Sequence, residues 1–311
     1  MTVSNDTYPS RVEHDAQILP RTDPVVYGTS GPLTPTQLAE YDANGYCFLE
    51  SFLSEEEVTV LRLELESLRT AERVRQSEIS ITEPASGAIR SIFAVQTVSD
   101  AFASLAADQR ILGMVRQILG SDVYIHQSRL NLKPGFVGKE FYWHSDFETW
   151  HAEDGMPAMR AVSCSVALTD NHEFNGPLML MPGSHRHFVQ CAGRTPEDHF
   201  LTSLKKQEYG VPSCEQLEWL TAQCGIAVPK GPAGSIILFD CNVMHGSNSN
   251  ITPYPRSNAF FVYNSIENTL EEPFSANGQR PWYLASRAPE VITPKDFRST
   301  CGNLMRTPQY A

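Results

Sequence analysis

In the first 120 residues apolar positions recur mainly at helical spacing, and beyond them mainly in short β-type runs. Residues 34–44 open with Thr34-Pro35-Thr36-Gln37 and stop at Gly45, which predicts a short helix, and Tyr46-Cys47-Phe48-Leu49 then predicts a strand. Ser54-Glu55-Glu56-Glu57 is a capping box. Val58, Leu61, Leu65 and Leu68 follow at helical intervals, so one scaffold helix is expected through Arg75. A third helix is expected from Ala101 to Leu119, with Leu105, Ile111, Leu112, Val115 and Ile118 as its apolar stripe and Gly120 as its stop. From Val123 the texture changes to runs at 123–132, 140–145, 159–168, 177–182, 226–229, 235–241 and 256–263, separated by Pro, Gly, Asn and Asp. That spacing predicts an antiparallel sandwich or barrel. One inserted helix is expected from Ser213 to about Cys224, and an irregular tail from Glu271 onward, with Pro273, Pro281 and Pro289.

The expected organisation is an N-terminal arm over residues 1–33 and a single domain over 34–311, with a β core at about 123–264. The arm carries Pro9, Pro20, Pro24 and Pro32 without a steady period, so it is expected to drape over the surface with no chemistry in it. The fold class is α+β, mainly β, with helices packed on a sandwich. Lys plus Arg total 24 and Asp plus Glu 36, giving a net charge of −12, the opposite balance to that of a nucleic-acid binder. Runs such as Ser235-Ile236-Ile237-Leu238-Phe239 fall far short of the roughly 18 apolar residues of a membrane span. No nucleic-acid or membrane partner is therefore expected. The start, Met1-Thr2-Val3-Ser4-Asn5-Asp6, lacks the basic and apolar regions of a secretory signal. Seven cysteines without a C-x-x-C pair read as reduced thiols. The expectation is a soluble, cytoplasmic enzyme.

Several motifs are absent. His172-Glu173 is followed by Gly176 where a zincin needs its second His, Gly138-Lys139 lacks the earlier Gly of a phosphate loop, and no G-x-G-x-x-G or G-x-S-x-G occurs. What remains is residues 141–151, in which His144 and Asp146 stand two apart at the end of an expected strand, on one face by period two. One His and one carboxylate are two corners of the facial triad that holds non-haem Fe(II). His245 is the best-placed third corner, 99 residues after Asp146 and at the rim of the strand 235–240. An H-x-D triplet alone arises often by chance, so its neighbours matter. Arg256 follows His245 by 11 residues and opens an apolar strand. A buried Arg needs a carboxylate, either in a structural ion pair or in an organic acid such as 2-oxoglutarate, held bidentately.

At this point the residues resemble a known family. The stretch 141–160, together with Gln127-Ser128-Arg129-Leu130-Asn131-Leu132-Lys133-Pro134-Gly135-Phe136 and Asp240-Cys241-Asn242-Val243-Met244-His245-Gly246-Ser247-Asn248, is similar to the ectoine hydroxylases. These belong to the phytanoyl-CoA hydroxylase-like Fe(II)- and 2-oxoglutarate-dependent dioxygenases. The resemblance extends from about residue 34 to 285 and is most specific from Trp143 to Pro157. It implies a double-stranded β-helix (jelly-roll, cupin-like) core with flanking N-terminal helices. It further implies Fe(II) ligation by His144, Asp146 and His245, and 2-oxoglutarate contacts from Asn131, Phe141, Ser247 and Arg256, with O2 as the other co-substrate. For the substrate, ectoine, it points to Gln127, Thr149, Trp150, Phe260 and Arg280. Ectoine is a cyclic amidine with a carboxylate: aromatic faces suit the cation, and Arg or Gln the anion. A homodimer is compatible with the resemblance.

Each residue also has a plainer reading. Trp150 could simply cover the barrel mouth and Phe260 fill the core. His151 reads as a structural group outside the ligand set, and His185 and His187 as parts of a turn. The segment 195–224, with Pro196 and Pro212, is compatible with a lid. Rival functions are the same chemistry on another small zwitterion, an oxygen-independent cupin-type zinc or manganese enzyme, and a non-catalytic solute binder.

Overall fold

A computed structural model of the chain describes residues 6–13, 15–82, 87–203 and 209–304. Its strands are β1 (Ile18–Pro20), β2 (Tyr46–Leu49), β3 (Ser80–Thr82), β4 (Ile89–Phe93), β5 (Val123–Lys133) and β6 (Phe141–His144), then β7 (Ala161–Ala167), β8 (Leu178–Leu180), β9 (His187–Val189), β10 (Ile236–Asp240), β11 (His245–Ser247) and β12 (Arg256–Ser265). A seven-stranded sheet in the order β2-β10-β7-β12-β5-β4-β3 faces a three-stranded sheet β6-β11-β8, and β1 pairs with β9. Every strand pairing is antiparallel. This is the double-stranded β-helix with helices on one side.

The pleat decides which side chains face which layer. Leu130, Phe261, Cys164, Val166, Ile236 and Leu238 point outward and pack against helical residues such as Leu61, Leu65, Leu105, Leu112 and Val115 in the main core. The opposite parity faces inward. Gln127, Arg129, Asn131 and Lys133 of β5 stand opposite Val262, Phe260, Asn258 and Arg256 of β12. One face of these two long strands is thus buried oil and the other a polar interior wall.

The helices at Pro35–Asn44, Glu55–Thr70 and Cys214–Cys224 begin with complete capping boxes on Thr34, Ser54 and Ser213. Gly45 ends the first with φ 77°, and a Cβ there would sit 2.5 Å from His185 Nδ1, so both backbone and space require glycine. The structure departs from expectation at identifiable places. The helix expected over 101–119 is two, Asp100–Ala106 and Gln109–Leu119, because Asp108 accepts from the Arg110 amide at 2.9 Å and caps the second. The helix expected through Arg75 breaks at Ala71, whose ψ of 118° is extended. Residues 226–229 contribute only the isolated bridge of Ala227 to Leu180, in an otherwise irregular segment. The tail holds a helix, Phe297–Leu304, anchored by buried Phe297 and Cys301. The arm is not draped: Tyr8 and Arg11 are buried and β1 is paired. Among the described residues no helix is long and apolar enough to cross a membrane.

Candidate active site

Strand pairing builds a cluster that could hold a metal ion. His144 ends β6 and His245 begins β11, directly opposite each other in the antiparallel register. Asp146 joins them by a route that differs from expectation, for the strand stops at His144 and Asp146 starts a helical turn, Asp146–Thr149, after extended Ser145. The turn, not strand alternation, brings its carboxylate to the two rings. His144 Nε2 lies 3.7 Å from Asp146 Oδ1 and His245 Nε2 3.8 Å from Asp146 Oδ2, and the three donor atoms all lie within 4.8 Å of one another. The ring centroids are 4.3 Å apart.

These residues fit a divalent ion. His144 Nδ1 lies 2.7 Å from the Tyr142 carbonyl and His245 Nδ1 3.0 Å from that of Val243, which places the proton on each Nδ1 and a lone pair on each Nε2. Burial, then the neighbouring His245, pushes His144 down to about 4, so its ring stays neutral. The donor separations are too long for hydrogen bonds between the groups and suit two imidazoles and a carboxylate on one face of an ion. Ser145 Oγ donates to Asn242 Oδ1 at 2.9 Å, and Asn242 Nδ2 donates to the His185 and His187 carbonyls at 3.0 Å, bracing the two ligand-bearing loops together.

At one side of the cluster the interior is cationic. Arg256 is 4% exposed, donates to the Gly176 carbonyl at 2.8 Å, and makes no salt bridge to a carboxylate among the described residues, while its Nε has no partner. Burial, reinforced by Arg129, brings it down to about 10. Lys133 Nζ donates to Ser247 Oγ at 2.8 Å and to the Asn248 carbonyl. Phe141 lies beneath Arg90, 4.3 Å from its Cζ, and beside Lys133, and Asn131 Oδ1 accepts from Ser91 at 2.9 Å. Arg256 and Lys133, which pair with no carboxylate among the described residues, make a site for one.

On the other side a cavity is lined by Gln127, Arg129, Asn131, Phe141, Thr149, Trp150, His199 and Arg280, with Asp146 the one acid in its wall. Gln127 donates to the Leu284 carbonyl at 2.7 Å. Trp150 is 3% exposed and meets His126 edge-on at 5.2 Å. Asp154 grips Arg280 at 2.7 and 2.6 Å; burial opposes the charge, but this carboxylate more than offsets it and holds the guanidinium above its ordinary range. Phe260 packs with Ile237, Phe239 and Val243, its ring centroid 5.3 Å from Arg129 Cζ. His151 is occupied on both nitrogens, by the Met156 carbonyl at 2.8 Å and Asp6 at 2.9 Å, and stacks on Phe274. His185 is bound to the Asp42 carbonyl and His187 packs on Trp219, both outside the cluster.

The sequence profile described as phytanoyl-CoA dioxygenase matches residues 41–258. The chain belongs to the phytanoyl-CoA dioxygenase family. Within it, the chain is 54% identical over 297 residues to "Ectoine dioxygenase" of Bordetella bronchiseptica, covering 94% of this chain and 96% of that protein. It is likewise 54% identical over 293 residues to "Ectoine dioxygenase" of Halomonas elongata, covering 93% and 88%. The fold superposes on the crystal structure of EctD from S. alaskensis with 2-oxoglutarate and 5-hydroxyectoine, with TM-score 0.85 and 48% identity over 93% of this chain and 98% of that one. A more distant neighbour, the carbocyclase SnoK at 18% identity and TM-score 0.61, shares the fold. Phytanoyl-CoA dioxygenases use Fe(II), 2-oxoglutarate and O2, and this member does so.

The structure adds Lys133, Arg129 and Arg90 to the interior of this dioxygenase. Arg129 shares the inward parity of Gln127 and Asn131, so its place was readable; Lys133 has the same parity but reads as a surface lysine before a turn. Residues 204–208 of the segment expected as a lid lie outside the described residues. Thr195 to Phe200 of that segment, with residues 276–280, line an outer cavity that reaches Arg280 and His199.

Proposed function

We propose that this dioxygenase hydroxylates ectoine to 5-hydroxyectoine, converting one 2-oxoglutarate and one O2 to succinate and CO2 in each turnover. The observation that carries the reading is a His144–Asp146–His245 cluster in an interior whose other walls carry the basic side chains Arg129, Lys133, Arg256 and Arg280. His144, Asp146 and His245 would hold the iron. Bound Fe(II) supplies the oxygen chemistry, through which 2-oxoglutarate is oxidatively decarboxylated and a C–H bond of the substrate becomes C–OH.

The chain's own residues bind, orient and shield. Arg256 and Lys133 anchor the far carboxylate of 2-oxoglutarate, Ser247 and Asn131 present polar groups along it, and Phe141 covers it with its face held by Arg90. Gln127, Thr149, Trp150 and Arg280 enclose ectoine, with Phe260 as the apolar backing of Arg129. Trp150 offers a ring face to the amidinium, and Arg129 and Arg280 a charge to the carboxylate. Holding both ends fixes which ring carbon faces the cluster. Arg11 and Tyr8 are buried in the same body, so we read the arm at 1–33 as part of the catalytic unit of residues 34–311. Five buried free cysteines and a co-substrate of central metabolism suit a cytoplasmic setting.

The test is aerobic incubation with Fe(II), 2-oxoglutarate and ectoine, following 5-hydroxyectoine and succinate together. Matched formation is expected. Succinate without 5-hydroxyectoine would move the substrate to another zwitterion, and neither product from folded, iron-loaded protein would overturn the reading. His144→Ala, Asp146→Ala and His245→Ala should each lose iron on dialysis and stop both products. Retention of iron and full turnover by any of the three would remove that residue from the ligand set.

A further inference from the structure

The signature segment 143–157 carries three acids besides Asp146, and none of them lines the wall of the metal-side cavity. Two of them, Glu148 and Glu153, converge on one side chain from the N-terminal arm. Arg11 Nε reaches Glu148 Oε1 at 2.7 Å, Nη2 reaches Glu148 Oε2 at 3.1 Å and Glu153 Oε1 at 2.9 Å, and Nη1 reaches Thr195 Oγ1 at 3.3 Å. Ser10 Oγ adds a 2.5 Å bond to Glu148 Oε1. The ion pairs are closed to solvent, with side chains 1% exposed for Arg11 and Glu148 and 2% for Glu153. Arg11 sits at φ 57°, a left-handed conformation that costs a non-glycine residue energy and persists where surrounding structure demands it. Gly210, at φ 70°, presses its backbone onto this junction; a Cβ there would collide with Arg11 Nη2 and Glu148 Oε2.

The junction has two outputs at the reaction site. Glu148 lies between Asp146 and Thr149, so fixing its carboxylate fixes the turn that carries the candidate iron ligand and the substrate-side Thr149 and Trp150. Glu153 Oε1 also receives His199 Nδ1 at 2.9 Å, and His199 lines both the metal-side cavity and the outer one. We propose that Arg11 is a positioning residue for the hydroxylation: through Glu148 and Glu153 it orients the Asp146–Trp150 turn, and through Glu153 it holds His199 at the rim of the substrate cavity. This rests on the functional reading above for what is oriented. A planar fork is required, because one lysine ammonium cannot address both carboxylates with Arg11's geometry.

A positioning defect on the substrate side separates from a folding defect by what it uncouples. Assayed at saturating Fe(II), so that any loosening of the Asp146 turn does not limit iron occupancy, Arg11→Ala should raise the KM for ectoine by about tenfold or more and leave the KM for 2-oxoglutarate within about twofold, since the Arg256 and Lys133 end is not in contact with the junction. With ascorbate in the assay as the two-electron donor that reduces the second oxygen atom to water, succinate should exceed 5-hydroxyectoine, because a misplaced ring carbon lets 2-oxoglutarate be decarboxylated without hydroxylation of the substrate. Arg11→Lys should restore the ratio only in part. Arg194→Ala removes an exposed arm-to-rim pair with Glu13 and should match the wild type. Should Arg11→Ala not fold, Arg11→Lys and Glu153→Gln carry the same comparison.

Hydrogen exchange of the full chain completes the test. Faster exchange confined to 146–155 and 195–200 in the Arg11 variants is expected. Wild-type exchange there, or a variant whose product ratio and both KM values equal the wild type's while only the active fraction falls, would overturn the assignment. The exchange measurement needs no substrate, so it decides the role of Arg11 even if wild type failed to hydroxylate ectoine, an outcome that would overturn the functional reading alone.

Discussion

Replacing Lys133 by methionine should make the protein more stable and worse at its reaction. Lys133 is 3% exposed. Burial, then Arg256 and Arg90, pushes its ammonium down to about 6, against a weaker pull from Glu140. At about pH 7.5 the unfolded chain holds this proton and the folded chain has lost it, a cost of about 4 kcal/mol at 1.36 kcal/mol per pKa unit. Methionine keeps the length and volume but forfeits the hydrogen bonds to Ser247 and Asn248, worth about 1 kcal/mol each. The balance is a gain of about 2 kcal/mol, or about 3 °C in Tm for a chain of this size.

The pH dependence fixes the sign. A base whose pKa is depressed by folding weakens the fold fully below the folded value, and the penalty fades as pH rises toward the unfolded value of 10.5. Between those limits the wild type should gain stability with pH relative to Lys133→Met, so the variant's advantage should shrink steadily. Thermal unfolding of metal-free, 2-oxoglutarate-free protein from about pH 6.5 to 9.5 reads this directly. A variant no more stable than wild type across the range, or an advantage that does not change with pH, would refute the reasoning. Binding of 2-oxoglutarate should likewise take up close to one proton at about pH 7.5 in the wild type and none at this site in Lys133→Met. Calorimetry in buffers of different ionisation heat measures it.

Two further outcomes follow from the other charged groups. Arg256→Gln removes the buried guanidinium that faces no carboxylate; the KM for 2-oxoglutarate should rise about a hundredfold, the loss of a desolvated charge pair worth about 3 kcal/mol, while the KM for ectoine changes little. Asp154→Asn weakens the two-pronged grip on Arg280 and should raise the KM for ectoine about tenfold with that for 2-oxoglutarate unchanged, roughly 1.4 kcal/mol; equal effects on both would mean that Asp154 supports the barrel generally.

Where local chemistry decides structure, the sequence was legible. Ser54 with Glu57, Thr34 with Gln37 and Ser213 with Gln216 each closed a box as their letters imply. The long strands β5 and β12 were readable because ten or so alternating positions outvote local noise. Five strands of three to five residues, β1, β3, β4, β9 and β11, were not, since so short a run has no period and is extended only because a neighbour pairs with it. Asp108 shows a milder failure: the apolar stripe runs through it, but a buried aspartate prefers to cap a new helix over sitting inside an old one. The cluster of His144, Asp146 and His245 was legible as residue types at strand ends, although the turn that delivers Asp146 was not. Arg11 was hidden, because a proline-rich polar stretch looks the same whether it floats or is clamped.

The acids of the signature segment explain how a chain of net charge −12 builds a cavity for two anionic carboxylates. A free carboxylate beside the iron site would repel both ligands and compete for the ion. Each acid near Asp146 is instead buried outside the wall of that cavity and bound: Glu148 to Arg11 and Ser10, Glu153 to Arg11 and His199, Asp154 to Arg280 and His126. Their desolvation is offset by these partners, which is why Glu153 and Asp154 are held below the ordinary carboxylate range despite burial. Facing inward, Arg256 and Lys133 have no such partner among the described residues, and burial disfavours their charge. On the proposed binding of the co-substrate's carboxylate at Arg256 and Lys133, its arrival would relieve these unfavourable electrostatics, and part of the stability the fold gives up at rest would return as selectivity for a dianion. On this argument a neutral analogue of matching shape, such as the diamide of 2-oxoglutarate, should neither bind measurably nor raise Tm, whereas the dianion should do both.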